Sequence, residues 1–377
     1  RTAAARTPAA ARARTPGTAW PPPASGRGGC GASARAPRVI EGLAQAPVDL
    51  MCVQEFWLDE HWQQLTTAAA ARWPHSHRGP TQTVATRCQA SELAPLQACA
   101  RQRCAGQGSD TLASCVVAGC AAMASKLGAG CLDCLIERPL GSIDEITGRC
   151  QAGAPVAPVS KPAGGKPRPA AGPGAKVPTA YGGSSGTGLL SSAPLTDRDV
   201  LEFPATLSKR GALYARMIRP EGPSLHVFCA HLDTGEREQR QQLDQLLGWV
   251  GQKTADGAPV LLLGDMNTGP TLASAGVRAR HPAHFERLQQ AGFRSVYAEQ
   301  PGARCTFCDG NPLNGGAGGD QGTLIDHVLV RGSLVGAGAE RLLREAISVP
   351  VGGQPLRTAP SDHYGLTATI GDAGGAG

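Results

Sequence analysis

Five apolar runs in this 377-residue chain each end on, carry or follow an ionisable side chain, and that recurrence constrains the fold most. Val48–Val53 ends on Gln54-Glu55, Leu225–Ala230 ends on His231, and Val260–Leu263 ends on Gly264-Asp265-Met266-Asn267. "TLIDHVLVRG" carries Asp326, and Asp362-His363 immediately precede Leu366–Ile370. Short apolar runs bounded by turn residues read as buried strands. Between two of them, Leu243, Leu246, Leu247 and Val250 recur at helical spacing. Strands and amphipathic helices in alternation describe an α/β sheet. Side chains alternate faces along a strand, so Asp265 and Asn267 are expected to point the same way. One polar strand end is ordinary turn chemistry. Five gathered at one end would set carboxylates against one another by several kcal/mol at low dielectric. A hard divalent cation relieves that repulsion, and magnesium prefers oxygen ligands.

The polar and low-complexity stretches set the domain boundaries. Residues 1–37 have no apolar period, no initiating Met and no continuous apolar segment of a signal peptide, so they read as a disordered or mis-started segment. Residues 151–180 are Pro, Ala, Gly and Lys, the composition of a flexible linker, and 372–377 read as a flexible tail. These leave an α/β core in two pieces, 38–87 and 181–371. No apolar run of about 18 residues is present, which excludes a membrane-spanning helix. The net charge of +6 suits a polyanionic substrate without identifying one. Aromatic residues make up only 4% of the chain, and no basic-aromatic run suited to stacking bases occurs.

Eight of the 13 cysteines fall within residues 88–150: Cys88, Cys99, Cys104, Cys115, Cys120, Cys131, Cys134 and Cys150. Two C-x4-C blocks repeat there, within "LQACARQRCAG" and "LASCVVAGCAAMASKLG", and both read as short helices ended by Gly. Helices this short bury too little surface to hold themselves, and each disulfide supplies roughly 2–4 kcal/mol. An insertion stapled by disulfides is therefore expected, in an oxidising compartment, with connectivity open. Zinc is the rival reading, prompted by Cys131-x2-Cys134, but the window contains no His. Cys305 and Cys308 are expected to close a small loop disulfide. His75 and His77 have metal-ligand spacing but are expected in a polar loop without acidic neighbours.

"VQE", "AHLDTG", "GDMN", "IDHVLV" and "SDHYGL" together resemble, in order and approximate spacing, the endonuclease/exonuclease/phosphatase superfamily. That superfamily includes deoxyribonuclease I, abasic-site endonucleases, inositol polyphosphate 5-phosphatases and neutral sphingomyelinases. The resemblance covers residues 38–78 and 180–371. It implies a four-layered α/β sandwich, two mixed sheets face to face with outer helices, here interrupted by the Cys-rich insertion. It implies a Mg2+ cofactor, with Mn2+ a possible substitute, and a phosphodiester substrate, either nucleic acid or a phospholipid headgroup. By resemblance, Glu55 is the principal metal ligand and Asp362 a second acid on the metal side. Asp265 prepares the attacking water, and Asn267 binds that water or the phosphate. His363 stands at the scissile phosphate, oriented by Asp326, and His231 stabilises the transition state. Asn311 and Asn314 lie in a loop beside the site and are expected to touch substrate. His327, adjacent to Asp326, faces the opposite side of the strand and is expected to be structural.

One departure stands out. The family's first core strand and its site Asn have no counterpart, because the chain's only Asn residues are Asn267, Asn311 and Asn314. Little turnover is therefore expected from this chain as given. The expectation is a secreted phosphodiesterase of the sphingomyelinase or nuclease kind. The alternative is a secreted non-catalytic binding protein on a degenerate sandwich. No dense Lys/Arg cluster for an inositol polyphosphate is visible, and the partner of the Cys-rich module is not legible.

Overall fold

In the computed structural model of the chain, the described residues are 32–57, 59–79, 88–106, short stretches between 112 and 151, 185–203, 209–351 except 315, 317 and 318, and 354–373. Residues 1–31, the linker after Gln151 and the tail from 374 lie outside them.

The chain opens with helix α1 (Ala32–Ala44), strand β1 (Leu50–Val53), helix α2 (Asp59–Ala68) and strand β2 (His75–Arg78). Residues 32–37, expected within the unstructured N-terminal segment, instead form the first turns of α1. Ile40 and Leu43 of that helix dock on a cluster with Met51, Leu65, Trp73 and Leu190. His75 and His77 are also corrected: they lie in strand β2, and the His77 ring bonds the Asp199 carbonyl at 3.0 Å.

The Cys-rich module contains α3 (Ala90–Arg103), a helical turn at Ala121–Ala124 and α4 (Ile143–Cys150). Its disulfides include Cys88–Cys131, Cys99–Cys120 and Cys104–Cys115. The last two are nested, with outer Cys joined to outer and inner to inner. Cys150 is disulfide-bonded as well. Leu93, Leu96 and Ala100 are the few apolar residues α3 buries, so the cross-links hold what the core cannot.

The chain returns to the core through β3 (Gly188–Ser191), β4 (Leu195–Glu202), β5 (Gly211–Met217) and β6 (Leu225–His231). Helix α5 (Glu236–Lys253), strand β7 (Val260–Asp265), β8 (Val277–Arg278), helix α6 (Pro282–Gln290) and β9 (Arg294–Ser295) follow. Then come β10 (Phe307–Cys308), β11 (Gly322–Thr323), β12 (Asp326–Arg331), β13 (Leu334–Leu342), β14 (Ile347–Val351), β15 (Gln354–Thr358) and β16 (Gly365–Asp372).

A six-stranded sheet ordered β4-β5-β6-β7-β12-β9 faces a three-stranded sheet ordered β1-β3-β2 and the β13-β16 pair. Strand β6 shows how the layers form. Val227 and Cys229 enter the core between the sheets, while Phe228 and Ala230 pack beneath α5 and α6. Both faces of β6 are covered, which is why it reads as an unbroken apolar run. In β3 likewise, Leu189 faces the inter-sheet core and Leu190 faces α1 and α2. The result is four layers: helix, sheet, sheet, helix. Leu262 on β7 is fully buried, and truncating such a residue to Ala costs about 2–5 kcal/mol. A disulfide between Cys52 on β1 and Cys229 on β6 joins the two sheets through this core.

A trough crosses the inter-sheet core. Among the described residues, β1 pairs only with β3, and β16 only with β13. Between these two unpaired edges runs a trough of about 940 Å³, lined in part by Leu50, Cys52, Leu261, Leu263, Leu366 and Ala368. At one end it reaches Gln54, Gly264 and Asp326.

Candidate active site

Sheet register assembles the site. Strands β6 and β7 are parallel with His231 beside Asp265, and β7 and β12 are antiparallel with Asp265 beside Asp326. Three neighbouring strands thus present His231, Asp265 and Asp326 in one row, and residues directly opposite across a ladder bring their side chains together. Gly264 permits the approach. Its φ is 132°, and a Cβ there would stand 2.0 Å from the Ala230 carbonyl oxygen.

Asp265 and Asn267 meet, though not by strand alternation. Strand β7 ends at Asp265, and Asn267 takes a left-handed φ of 50°. The chain turns so that the Asn267 amide N–H donates to Asp265 Oδ1 at 2.8 Å and Asn267 Nδ2 donates to Oδ2 at 3.2 Å. An Asx turn therefore replaces the expected shared strand face. Asn267 Nδ2 also donates to the Leu232 carbonyl at 3.0 Å. The turn is clamped from below by the fully buried Gln239 of α5, whose Nε2 donates to the carbonyls of Met266 at 3.1 Å and Asn267 at 2.7 Å.

His363 reaches the row from the loop before β16. Its Nδ1 lies 2.8 Å from Asp326 Oδ2. Phe307 packs edge-on against the imidazole at 5.1 Å between ring centres. The Thr306 hydroxyl accepts the Asp326 amide N–H at 3.2 Å. Asn311 and Asn314, expected to touch substrate, make backbone contacts here. Their side-chain amides donate to the carbonyls of Ser361 and Asp362, both at 2.8 Å, so they hold the backbone that carries His363. The Cys305–Cys308 disulfide closes the same loop.

Asp265, Asp326 and His363 form the compact metal-competent group, with one ligand atom from each within 4.8 Å of the others. Its two carboxylates fit a hard divalent cation such as Mg2+ or Mn2+, while the imidazole of His363 stands beside them as a charged neighbour. Glu55 stands outside this group. It is an exposed residue with φ of 64° in the turn just past β1, following Gln54, which shares the trough wall with Asp326. Asp362 is the chain neighbour of His363 and acts on it through its charge.

The two histidines of the site have opposite electrostatics. Burial disfavours a charge on His363, but Asp326, Asp265 and Asp362 together raise its pKa well above the usual value. Burial lowers the His231 pKa to about 4, aided by the charge of Arg210 and opposed by Asp265 at 3.4 Å. Burial also opposes ionisation of Asp265, yet the His231 hydrogen bond and the charge of His363 hold it below the usual carboxylate range. Burial, then the charge of Asp265, raises Asp326, and His363 opposes this. At neutral pH the site therefore holds an imidazolium at 363, a neutral imidazole at 231 and an ionised Asp265.

His327 faces away as expected. It is buried between Ser295 and the Thr268 carbonyl, at 3.0 and 2.8 Å. Arg210 and Gln239 escaped the sequence reading. Gln239 left a signal, a polar residue one turn before Leu243 on the apolar face of α5. Arg210 left none.

The family model for "Endonuclease/Exonuclease/phosphatase family" matches residues 26–363. None of the curated proteins matches the chain. Among solved structures, sphingomyelinase C from Streptomyces griseocarneus is 17% identical, with a TM-score of 0.49, over 90% of this chain and 92% of that one. A beta toxin mutant from Staphylococcus aureus with bound magnesium ions is 12% identical, with a TM-score of 0.45, over 88% of this chain and 91% of that one. An endonuclease/exonuclease/phosphatase from Beutenbergia cavernae is 19% identical, with a TM-score of 0.37. The match spans 51% of this chain and about half, 49%, of that structure.

Proposed function

The chain belongs to the endonuclease/exonuclease/phosphatase family, and from that premise we propose that it is a Mg2+-dependent phosphodiesterase acting outside the cytoplasm on a phospholipid headgroup or a nucleic acid. The observation that carries this reading is the convergence of Asp265 and Asp326, at the ends of neighbouring strands β7 and β12, with His363 from the loop before β16. The carboxylates of Asp265 and Asp326, with Glu55 from the end of β1, would hold the cation. When bound, it offsets charge on the phosphoryl oxygens and on the two clustered acids.

The residues then divide the work. Asp265, ionised and held by the Asn267 amide, orders the attacking water and takes its proton as the water oxygen bonds to phosphorus. Asn267 steadies Asp265 and is positioned to meet that water. His363, kept protonated by Asp326, faces the developing charge and delivers its proton to the leaving oxygen as the P–O bond breaks. His231, neutral in the unliganded site, stabilises the transition state as a hydrogen-bond donor. Asp362 adds negative potential that keeps His363 charged. The disulfides of the Cys-rich module and the core favour an oxidising, extracytoplasmic compartment. No helix among the described residues is long and apolar enough to cross a membrane.

The test is initial-rate hydrolysis of DNA, sphingomyelin and lysophospholipids across a magnesium titration, with folding checked by circular dichroism. Magnesium-dependent release of phosphorylcholine or nucleotides is expected from a form that carries the family's first-strand Asn, with little turnover from the chain as given. A folded form with that Asn that is inert towards all three substrates would overturn the reading and leave the non-catalytic binding protein in its place.

A further inference from the structure

The disulfide between Cys305 and Cys308 encloses only Thr306 and Phe307, and both enclosed residues touch the charged pair of the site. Thr306 is fully buried, and its hydroxyl accepts the amide N–H groups of Ile325 at 3.1 Å and Asp326 at 3.2 Å. The same hydroxyl bonds the Asp326 carboxylate. The Thr306 carbonyl accepts the Tyr364 amide N–H, one residue past His363, at 2.8 Å. Phe307 sets its ring edge-on to the His363 imidazole, and the two residues also meet as a backbone bridge. Arg341 of β13 braces this clip from behind. Its guanidinium donates to the Cys305 carbonyl at 3.2 Å, lies 3.5 Å from Cys308 Sγ and covers the Tyr364 ring at 5.1 Å. With the sulfurs bonded to each other and Asp320 paired to Arg341, this corner offers no thiolate ligand set.

The length of the clip sets it apart from the other cross-links. A disulfide stabilises a fold by closing a loop of the unfolded chain, and does so more for longer loops. Cys305 and Cys308 are 3 residues apart, against 11 to 177 for the other described pairs. So short a ring adds little to global stability by that route. What it restricts is the local backbone, at the two residues that face Asp326 and His363.

We propose that the Cys305–Cys308 disulfide is a positioning device: it fixes Thr306 and Phe307, and through them sets the alignment of the Asp326–His363 pair. This deepens, and rests on, the phosphodiesterase reading, in which that pair delivers the proton. Slight misplacement of a catalytic group is costly in rate, so a covalent clip on its neighbours serves turnover more than folding.

The experiment follows the chain as given by NMR, for wild type, the double variant Cys305→Ala/Cys308→Ala, Thr306→Val and Thr306→Ser. The proton held between His363 Nδ1 and Asp326 gives a downfield signal, which is expected to broaden or move upfield in the double variant. The Asp326 and Tyr364 amides should exchange with solvent about tenfold or more faster there, and by a larger factor than amides of β6 and β7. Thr306→Val should free the Asp326 amide, and Thr306→Ser, which keeps the hydroxyl, should restore its protection. An unchanged His363 signal, exchange accelerated equally throughout the core, or a Thr306→Val protein that protects Asp326 as wild type does overturns the proposal. A double variant that unfolds outright makes the clip a general staple and overturns it as well. In the form that carries the family's first-strand Asn, loss of the clip should lower kcat about tenfold with KM unchanged. Turnover by that form with kcat indifferent to the clip overturns the positioning role alone. A loosened His363 in a protein whose Asn-bearing form cleaves none of the substrates overturns the phosphodiesterase reading alone.

Discussion

His363 and His231 each stand beside an aspartate at the same end of the same sheet, yet one is held protonated and the other neutral. Burial opposes charge on both. The difference is in the company. Asp326, Asp265 and Asp362 surround His363, and Asp326 bonds its Nδ1 at 2.8 Å. His231 meets the Arg210 guanidinium on one side and Asp265 on the other at a looser 3.4 Å. A His–Asp pair is thus not a fixed unit of chemistry. The next charge outward decides whether the imidazole serves as acid or as hydrogen-bond donor.

The sharpest way to break this comparison is kinetic. With an active form in hand, His363→Ala is expected to lower kcat by roughly 10²–10⁴, because both its charge and its proton act as the transition state forms. His231→Ala should cost less, since a neutral donor offers one hydrogen bond. Initial rates at saturating magnesium decide it, and equal losses would mean the two pairs are equivalent.

Acid stability probes the neutral side of the comparison. His231 and the structural His327 both have folded pKa values near 4, lowered chiefly by burial. In the unfolded chain each titrates near 6.5. Between about pH 6.5 and pH 4 the unfolded chain therefore takes up protons that the folded chain refuses. Stability is complete above that window and falls through it, by about 3 kcal/mol for each histidine. His363 has the opposite sign: its contribution is complete below about pH 6.5 and is lost as pH rises through its elevated folded pKa. Urea unfolding at a series of pH values should show the acid loss, and His327→Gln should remove the His327 share. An unchanged profile in that variant would refute the assignment.

A smaller effect tests what holds the charged pair in place. Asn314→Ala frees the Asp362 carbonyl and should lower kcat about tenfold or less through looser placement of His363, with magnesium dependence unchanged. A change in KM with kcat intact would instead return Asn314 to the substrate surface. The smallest effect is expected for His327→Gln on kcat. That side chain points to Ser295 and Thr268, so the rate should stay within about twofold once folding is verified.

Much of this protein was legible in one dimension. Apolar runs such as Leu225–Ala230 mark buried strands because burial on both faces leaves no room for polar alternation. The helical period of Leu243, Leu246 and Val250 marks α5 for the same reason. The ordered motifs around Glu55, His231, Asp265, Asp326 and His363 identified the family, and paired C-x4-C blocks identified a cross-linked module. Only the tertiary structure decided what depends on contacts between distant segments. Register set His231, Asp265 and Asp326 in one row across β6, β7 and β12. The turn at Asn267 replaced strand alternation, because a local side-chain bond to the backbone overrode the strand period. Cys52 and Cys229, 177 residues apart, became partners because their strands face each other across the core. Asn311 and Asn314 bond the backbone beneath His363, and Arg210 entered the site without any motif to announce it. Periodicity records what a segment buries, and spacing records near neighbours. The charge that stands beside an imidazole is a fact of three-dimensional packing, and in this site that charge sets the chemistry.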